Sequence, residues 1–320
     1  MSICATVGRP IETRIDVCIH DGFVLFDKPD VEQDFLYHVL TDLEPRWTKK
    51  GQTGSQMNLN TGLIKGTKIA VPKDGVEQSA IATTLSDVDA LLAAQDALIA
   101  KKRAIKQGAM QELLTGKRRL SGFDGEWEVK RLDQLAEIRS GGTPSTSRPD
   151  FWDGDILWVT PTDVSALDGR KFLETTKRKI TELGLKASSA EIIPASSVVM
   201  TTRATIGECA INVVPLSTNQ GFKNFVPRSS VDVGFLFYLL TTQKQGFIGM
   251  CAGSTFLEIG KAQLAGYEVF IPEKGEQLAI AEVLSDMDAE LTALEIQRAK
   301  TTQLKQGMMQ ALLTGRIRLV

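Results

Sequence analysis

Two segments of this 320-residue chain are near-copies of each other. Residues 77–120 align with residues 276–319 at a constant offset of 199 without a gap, and 25 of the 44 positions are identical. Fainter similarity continues upstream. A repeat of this kind marks a duplicated structural unit. Residues 1–120 are therefore predicted to be a shortened copy of roughly 200–319, whereas residues 122–199 have no counterpart.

The repeated segments have the apolar spacing of long helices. Steps of four and three residues keep one apolar stripe on one helix face, which is typical of a coiled-coil seam. A helix of about 39 residues would be about 58 Å long. We expect the two helices to pair with each other because their stripes match, although each stripe packing on its own globular part is the alternative. The predicted seam is Ile81, Leu85, Val88, Leu92, Ile280, Leu284, Met287, Leu291 and Leu294.

The segment between the helices differs in pattern. Short runs rich in β-branched residues alternate with Gly, Pro, Ser and Thr turn clusters, at 155–161, 197–203, 209–215 and 267–272. Helical stretches are predicted at roughly 130–139 and 232–246. The predicted fold class is α+β, with β-rich domains joined by the two long helices. The predicted division is 1–75 (partial domain), 76–120 (helix), 121–275 (complete domain) and 276–320 (helix).

Composition narrows the possible functions. With 37 Lys+Arg against 39 Asp+Glu, bulk charge indicates neither a nucleic acid nor a membrane as partner, so any basic surface must be local. Four scattered cysteines without a Cys-x-x-Cys pair suggest a reduced, cytoplasmic chain. No apolar run approaches membrane-spanning length. With only His20 and His38, a histidine-based metal site is not expected.

Catalytic motifs are missing from the sequence. It contains no Gly-x-x-x-x-Gly-Lys-Ser/Thr phosphate loop and no Gly-x-Gly-x-x-Gly. Pro149-Asp150 followed by Asp153 and Asp155 resembles part of a metal-dependent nuclease motif, but a convincing acid-x-Lys strand does not follow. We therefore expect no catalysis by this chain alone and no metal.

Four polar clusters are suited to gripping a nucleic-acid backbone or base edges. They are Ser140–Arg148, the cations of 170–179, Thr201–Arg203 and Ser217–Gln220. Glycines let a phosphate approach the main chain, and hydroxyl groups and Arg supply donors. Arg, Asn and Gln make paired hydrogen bonds to base edges. Taken alone, a run such as Ser140–Arg148 is a flexible loop more often than a site, and the cations of 170–179 are equally consistent with a solvated face, but all four clusters fall in the same predicted domain.

These motifs resemble the specificity (S) subunit of type I restriction-modification systems. The resemblance rests on the doubled "EQ-x-AIA-x-x-LS-D-x-D" opening and "KQG-x-MQ-x-LLTG" ending of the helices. It also rests on "W-x-V-x-RL", "SGGTPS", "DILWVTPTDV", "TTRATIG" and "STNQGF" of a target-recognition domain. Together these cover nearly all of the sequence.

The resemblance implies a function. Two target-recognition domains, held apart by antiparallel helices, each read one half of a split site in double-stranded DNA, and helix length sets the spacer. The family's S subunit has no catalytic site or cofactor of its own. It recruits two methyltransferase subunits that use S-adenosylmethionine, and an endonuclease/translocase subunit joins them. No membrane is involved.

Residue type and clustering suggest which side chains contact DNA. We predict phosphate contacts from Arg148, Lys171 and Arg178, and positions nearer the bases for Arg203 and Asn219. The full predicted set is Thr143, Ser145, Arg148, Lys171, Arg178, Arg203, Asn219 and Lys223.

The shortened first copy leaves the assembly open. The counterpart of 122–199 is missing from it, and half a domain exposes apolar surface that favours association. Three arrangements are compatible with the sequence. The remnant could fold as a reduced module, another polypeptide could complete it, or two copies of the chain could pair. Two other functions compete with DNA reading: a coiled-coil protein scaffold, and a competitor that sequesters methyltransferase subunits.

Overall fold

A computed structural model describes the chain except for residues 5, 14, 51–58, 252–256 and 320, and the side chains of 48–50. Residues 51–58 belong to the predicted partial domain and lie outside the described residues. The chain divides into two compact units. Unit 1 comprises 1–101 and 292–320, and unit 2 comprises 102–291. Each predicted long helix therefore contributes one part to each unit.

Unit 1 is built mainly from helices. It contains α1 (Gln33–Lys50) and α2 (Thr61–Lys65). It also contains the first part of α3 (Gly75–Leu113) and the last part of α10 (Lys274–Leu312). Its core packs apolar side chains of α1 against both long helices; Phe35, Leu85 and Leu312 are buried together.

Unit 2 is a mixed structure of helices and strands, and its described residues form three sheets. The five-stranded sheet has the order β2-β9-β6-β7-β4, the three-stranded sheet β5-β3-β8, and the smallest sheet pairs β1 with β10. The strands are β1 (Glu128–Arg131), β2 (Ala136–Ser140), β3 (Trp152–Val159), β4 (Phe172–Leu173), β5 (Arg178–Ile180), β6 (Ser197–Thr201), β7 (Cys209–Asn212), β8 (Ser217–Thr218), β9 (Phe222–Pro227) and β10 (Glu268–Ile271). The shorter helices are α4 (Leu132–Leu135), α5 (Pro161–Ser165), α6 (Glu182–Lys186), α7 (Val233–Thr242), α8 (Lys244–Gly249) and α9 (Lys261–Ala265), and Pro149–Phe151 form a 3-10 turn. The predicted α+β class is confirmed.

One predicted helix is mostly wrong. Of residues 130–139, only Leu132–Leu135 are helical, and strand β2 begins at Ala136. Ala136 and Ile138 are buried while Glu137 is exposed, so the apolar period is two and fits a strand. Strand β2 pairs with β9, which lies far away in the sequence. Local propensity does not reveal such a pairing.

The two long helices are confirmed, at 39 residues each. They run in opposite directions, because one partner's number rises as the other's falls. In unit 1, Lys305 pairs with Asp89 and Arg298 with Asp96. In unit 2, Lys102 pairs with Glu290 at 2.6 Å.

The apolar stripe packs in two ways at once. In unit 1 the seam residues at the start of α3 are buried with α1 and also with the end of α10. In unit 2 the start of α10 is buried with α7 and with Leu113 of α3. The predicted seam residues Ile81, Leu85, Ile280, Leu284 and Leu291 are buried, and Val88, Leu92, Met287 and Leu294 are half-buried. Among the described residues, none of the helices combines the length and apolarity required to cross a membrane.

A buried histidine lies beside the helix pair of unit 1. His38 on α1 is 1% exposed, and its Nε2 lies 3.0 Å from Ser86 Oγ. Its Nδ1 has no hydrogen-bond partner among the described residues and lies 4.0 Å from Asp89 Oδ2. Burial lowers the pKa of His38, Lys305 lowers it further, and Asp89 and Asp34 oppose the shift.

The lowered pKa of His38 predicts that the folded chain loses stability in mild acid. The unfolded state takes up a proton near pH 6.5, whereas the folded state resists protonation because the pKa of His38 is lowered. The contribution of neutral His38 to the free energy of unfolding is therefore fully present above about pH 6.5 and is lost as the pH falls below that value. We expect the free energy of urea unfolding to decrease from pH 7.5 to pH 5.5. His38→Gln should flatten this dependence; an unchanged pH slope in the variant would contradict the assignment.

Candidate nucleic-acid interface

Two tryptophans hold the loop that follows β2. We call residues 141–148 the glycine loop. The Trp158 indole donates to the Gly142 carbonyl at 2.9 Å, and the Trp152 indole donates to the Ser145 carbonyl at 3.1 Å. Both indoles come from strand β3, and their rings meet edge to face with centroids 4.9 Å apart. A rigid strand therefore positions a loop composed mainly of small residues.

The glycine loop lies against the turn after β8. The Gly142 amide donates to the Thr218 carbonyl at 2.9 Å, and the Thr143 hydroxyl donates to Gln220 Oε1. A Cβ added at Gly141 would lie 1.9 Å from the Asn219 carbonyl oxygen, so only glycine fits there. The Asn219 side chain accepts from the Gly221 amide at 2.9 Å, which closes the turn.

A third loop joins at the end of β6. The Thr202 amide donates to the Gly221 carbonyl at 2.7 Å. The next residue, Arg203, lies 2.9 Å through its Nε from Glu258, and both side chains are nearly half exposed. Three of the four predicted polar clusters therefore meet around the turn 218–221, although they are far apart in the sequence.

Arginines lie on aromatic rings beside these loops. The Arg178 guanidinium lies 3.7 Å from the Trp152 ring centroid. Arg148 pairs with Asp150 at 2.6 Å and lies 4.8 Å from the Phe151 ring centroid. The hydrogen bonds that Arg148 donates to the Asp150 carboxylate raise the pKa of Arg148, so the guanidinium stays charged. Stacking holds a guanidinium plane in a defined direction and leaves its edge for an acceptor.

The position of Lys171 does not support a phosphate contact. Its ammonium group donates to Ser285 Oγ on α10 at 2.6 Å and to the Tyr238 hydroxyl at 3.3 Å. Burial lowers the pKa of Lys171, while Asp288 counteracts part of that effect. These hydrogen bonds connect the start of β4 to α10, and Lys171 therefore lies apart from the three loops.

Lys223 is also withdrawn from solvent. It is 7% exposed on β9, and its ammonium group donates to the Phe222 carbonyl at 3.3 Å. Burial lowers the pKa of Lys223, and Glu258 opposes the shift. The burial of Lys223 within the sheet therefore does not support a contact with a duplex. The predicted residues that share the loop surface are Thr143, Ser145, Arg148, Arg178, Arg203 and Asn219.

The set of DNA contacts predicted from the sequence omits several residues that build this surface. Trp152 and Trp158 set the glycine loop, Gln220 meets Thr143, and Glu258 orients Arg203. Trp158 lies in the quoted motif DILWVTPTDV, but nothing in the sequence links Glu258 to Arg203. No group of three His, Cys, Asp or Glu suited to a metal occurs in the part of the chain that the structure describes.

Known proteins provide a comparison for this arrangement. The family described as "Type I restriction modification DNA specificity domain" matches residues 3–101 and 124–305. The MjaIX specificity subunit of Methanocaldococcus jannaschii is 38% identical over 165 residues, which are 51% of this chain and 38% of that one. The EcoR124I/EcoR124II specificity subunit of Escherichia coli is 28% identical over 176 residues, 53% of this chain and 43% of that one.

Solved structures share the fold. A chain from a study of complex assembly and conformational transition of the type I R-M system matches with a TM-score of 0.59 at 19% identity, covering 90% of this chain and 72% of that one. The type I S subunit of M. genitalium matches with a TM-score of 0.57 at 14% identity, covering 89% and 73%.

A longer relative matches throughout. The putative MjaX specificity subunit of M. jannaschii is 26% identical over 329 aligned residues, 96% of this chain and 74% of that one. The chain nevertheless spans only about two fifths of the first two relatives described above. Because the family match includes both units and most of both long helices, the chain belongs to the type I restriction-modification DNA specificity family.

Proposed function

We propose that this chain is a DNA recognition subunit whose unit 2 reads one half of a target site. The observation that supports it most directly is the meeting of the glycine loop, Arg203 and the turn 218–221 on one surface. Phosphate contacts position a protein on DNA and base-edge contacts specify the sequence. We assign Arg148 and Arg178 to phosphates, and Arg203 and Asn219 to base edges.

The chemistry of each side chain suits its assigned contact. Arg178 lies over Trp152, so its orientation is restrained and binding loses less side-chain entropy. The ion pair of Arg203 with Glu258 goes through Nε. Because a guanidinium carries five N–H donors, the terminal nitrogens can still bind a base edge. A carboxylate also accepts from cytosine N4, so Glu258 joins the proposed base readers.

Arginine substitutions test the two roles separately. With a target selected from random duplexes, Arg178→Ala should weaken binding to all sequences similarly and reduce the slope of log K against log salt by about one. Arg203→Ala should relax discrimination at one position, at a cost of about 1–3 kcal/mol. Arg131→Ala is the control, since Arg131 also pairs with a carboxylate, Asp133, but lies on β1. Equal effects of all three variants would reject the assignment.

We further infer that methyltransferase subunits dock on the long helices and that this chain contributes no catalytic group. Leu91 and Leu98 are 49% and 40% exposed, and they lie seven residues apart on one face of α3. Exposed apolar residues at this spacing suit contact with a partner helix. In this proposal S-adenosylmethionine binds to the partner methyltransferase subunits, and the endonuclease subunit joins the assembled complex.

Co-purification separates DNA recognition from the competing functions. A reader should bind duplex DNA with an affinity that falls steeply with salt, and should direct adenine methylation when methyltransferase subunits are present. A protein scaffold would bind no DNA, and a competitor would hold methyltransferase subunits without methylation. Mapping of methylated adenines after co-expression distinguishes these outcomes.

A further inference from the structure

The repeat places two equivalent helix ends in the two units. In unit 2, α3 is followed by Gly116, whose φ is +68°, and in unit 1, α10 is followed by Gly315, whose φ is +72°. After each glycine an arginine reaches back to a carboxylate at the start of the other long helix. Arg119 binds Glu276 at 2.5 and 2.7 Å, and Arg318 binds Glu77 at 2.6 Å.

In unit 2 this helix end is covered by Trp127 and the strand that follows it. The Trp127 indole donates to Glu276 Oε2 at 3.1 Å, and its ring lies 5.9 Å from the Arg119 guanidinium. A Cβ added at Gly116 would lie 3.3 Å from the indole ring. Strand β1 then pairs antiparallel with β10. We call Gly116, Arg119, Phe235, Glu276 and β10 the Trp127 seat.

Unit 1 contains the same set of groups. Their counterparts at offsets of 199 and 200 are Gly315, Arg318, Phe35, Glu77 and residues 68–71, which we call the open face. Phe35 is buried as Phe235 is, and the carboxylate of Glu77 is held by Arg318 as that of Glu276 is by Arg119. The acceptor groups for a tryptophan and a strand are therefore in place.

Residues of the open face are more exposed than their counterparts in the Trp127 seat, as expected for a site that no tryptophan or strand covers. Val269 and Ile271 of β10 are 5% and 4% exposed, whereas their counterparts Ile69 and Val71 are each 39% exposed. Residues 68–71 form no ladder with any strand in the described part of the chain.

The helix end and its arginine show the same difference. Nothing lies within 4 Å of a Cβ added at Gly315, whereas the Gly116 position is filled by Trp127. The Arg318 side chain is 59% exposed, about twice the 28% of Arg119. Buried apolar residues and a stacked arginine in one unit thus correspond to exposed ones in the other.

We propose that the open face binds an extended polypeptide segment other than residues 121–134, which places a tryptophan on Gly315 and Arg318 and adds a strand antiparallel to residues 68–71. Strand addition supplies main-chain hydrogen bonds, and the side-chain seats supply specificity. The Trp-Glu-Val-Lys-Arg-Leu sequence of 127–132 occurs once in the chain and is already used in unit 2. A second copy could donate it only by uncovering its own Trp127 seat.

The charge at the edge indicates how this partner differs from the strand in unit 2. In the β1–β10 register, Arg131 lies opposite Glu268. The counterpart of Glu268 on the open face is Lys68. Opposite charges facing each other across two strands favour pairing, and like charges disfavour it. The partner strand is therefore expected to carry an acidic residue where β1 carries Arg131.

Synthetic peptides test the proposal on the full chain. A labelled peptide of residues 121–134 and its Arg131→Glu form are titrated with the protein by fluorescence anisotropy, and hydrogen exchange locates the contact. Both peptides should bind, the acidic form about threefold more tightly. Trp127→Ala in the peptide should weaken binding roughly tenfold or more. Amide protection should appear at residues 68–71.

A matched pair of chain variants controls for folding. Val71→Asp changes a side chain on the open face that is 39% exposed, and Ile296→Asp changes one on α10 that is 51% exposed. We expect only Val71→Asp to abolish peptide binding. Absence of binding by both peptides, indifference to the Trp127→Ala change, or protection at residues 268–271 in place of 68–71 would overturn the proposal. Dimers of the chain that protect residues 68–71 without peptide would also overturn it, because the occupant would then be a second copy.

Discussion

Gly141→Ala is expected to disrupt the proposed DNA surface of unit 2 and to weaken specific DNA binding at least about tenfold. The added methyl group would lie 1.9 Å from the Asn219 carbonyl oxygen and 2.4 Å from Thr218 Oγ1. Hydrogen bonds hold both neighbours in place, because the Asn219 amide donates to the Val159 carbonyl and the Thr218 carbonyl accepts from the Gly142 amide. The glycine loop must therefore move, and overpacking of this kind costs about 1–3 kcal/mol.

A second glycine provides the control for this substitution. Gly108 lies within α3, and a Cβ added there meets nothing within 4 Å. Gly108→Ala should stabilise the chain by up to about 1 kcal/mol because alanine favours a helix. Urea unfolding and duplex binding are measured for both variants. If Gly141→Ala preserves both stability and DNA discrimination, the close approach of the two loops is wrong.

Asp288→Ala is expected to destabilise unit 2 by about 2–3 kcal/mol. Asp288 on α10 accepts from the Tyr238 hydroxyl at 2.5 Å and from the Lys106 ammonium group. Burial, together with the bond to Asp288, raises the pKa of Tyr238, so the phenol stays protonated and donates. Removing the carboxylate leaves a buried hydroxyl and two lysines, Lys106 and Lys171, without their counter-charge.

The repeat supplies the comparison for this variant. Asp89 of unit 1 is the counterpart of Asp288 and pairs with Lys305, but it is 39% exposed and faces His38 where Asp288 faces Tyr238. Asp89→Ala should cost about 1 kcal/mol, because a more exposed pair is screened by water. Three of the four tryptophans, Trp127, Trp152 and Trp158, lie in unit 2, so fluorescence follows its unfolding. Equal losses in the two variants would refute the account of the Tyr238 cluster.

Lys171 shows why composition and clustering misplace individual contacts. The cations of 170–179 are neighbours in sequence and suggested one basic patch. In the structure, Lys171 binds Ser285 of α10 while Arg178 lies on Trp152. The direction of a side chain depends on which face of its segment packs against a distant element. Local sequence carries no information about that element.

The spacing of apolar residues in the sequence was sufficient to predict the two long helices. Each residue of a helix advances by a fixed angle, so apolar residues at steps of four and three lie on one face. The doubled stripe also predicted that the two helices pair with each other, since matching faces bury each other, whereas their opposite directions were implied only by the family resemblance. Only the tertiary structure decided that the glycine loop, Arg203 and the turn 218–221 share one surface, and that the open face of unit 1 lacks the cover that Trp127 provides in unit 2. These facts depend on contacts between segments tens of residues apart, which are set by sheet register and by packing of the whole unit.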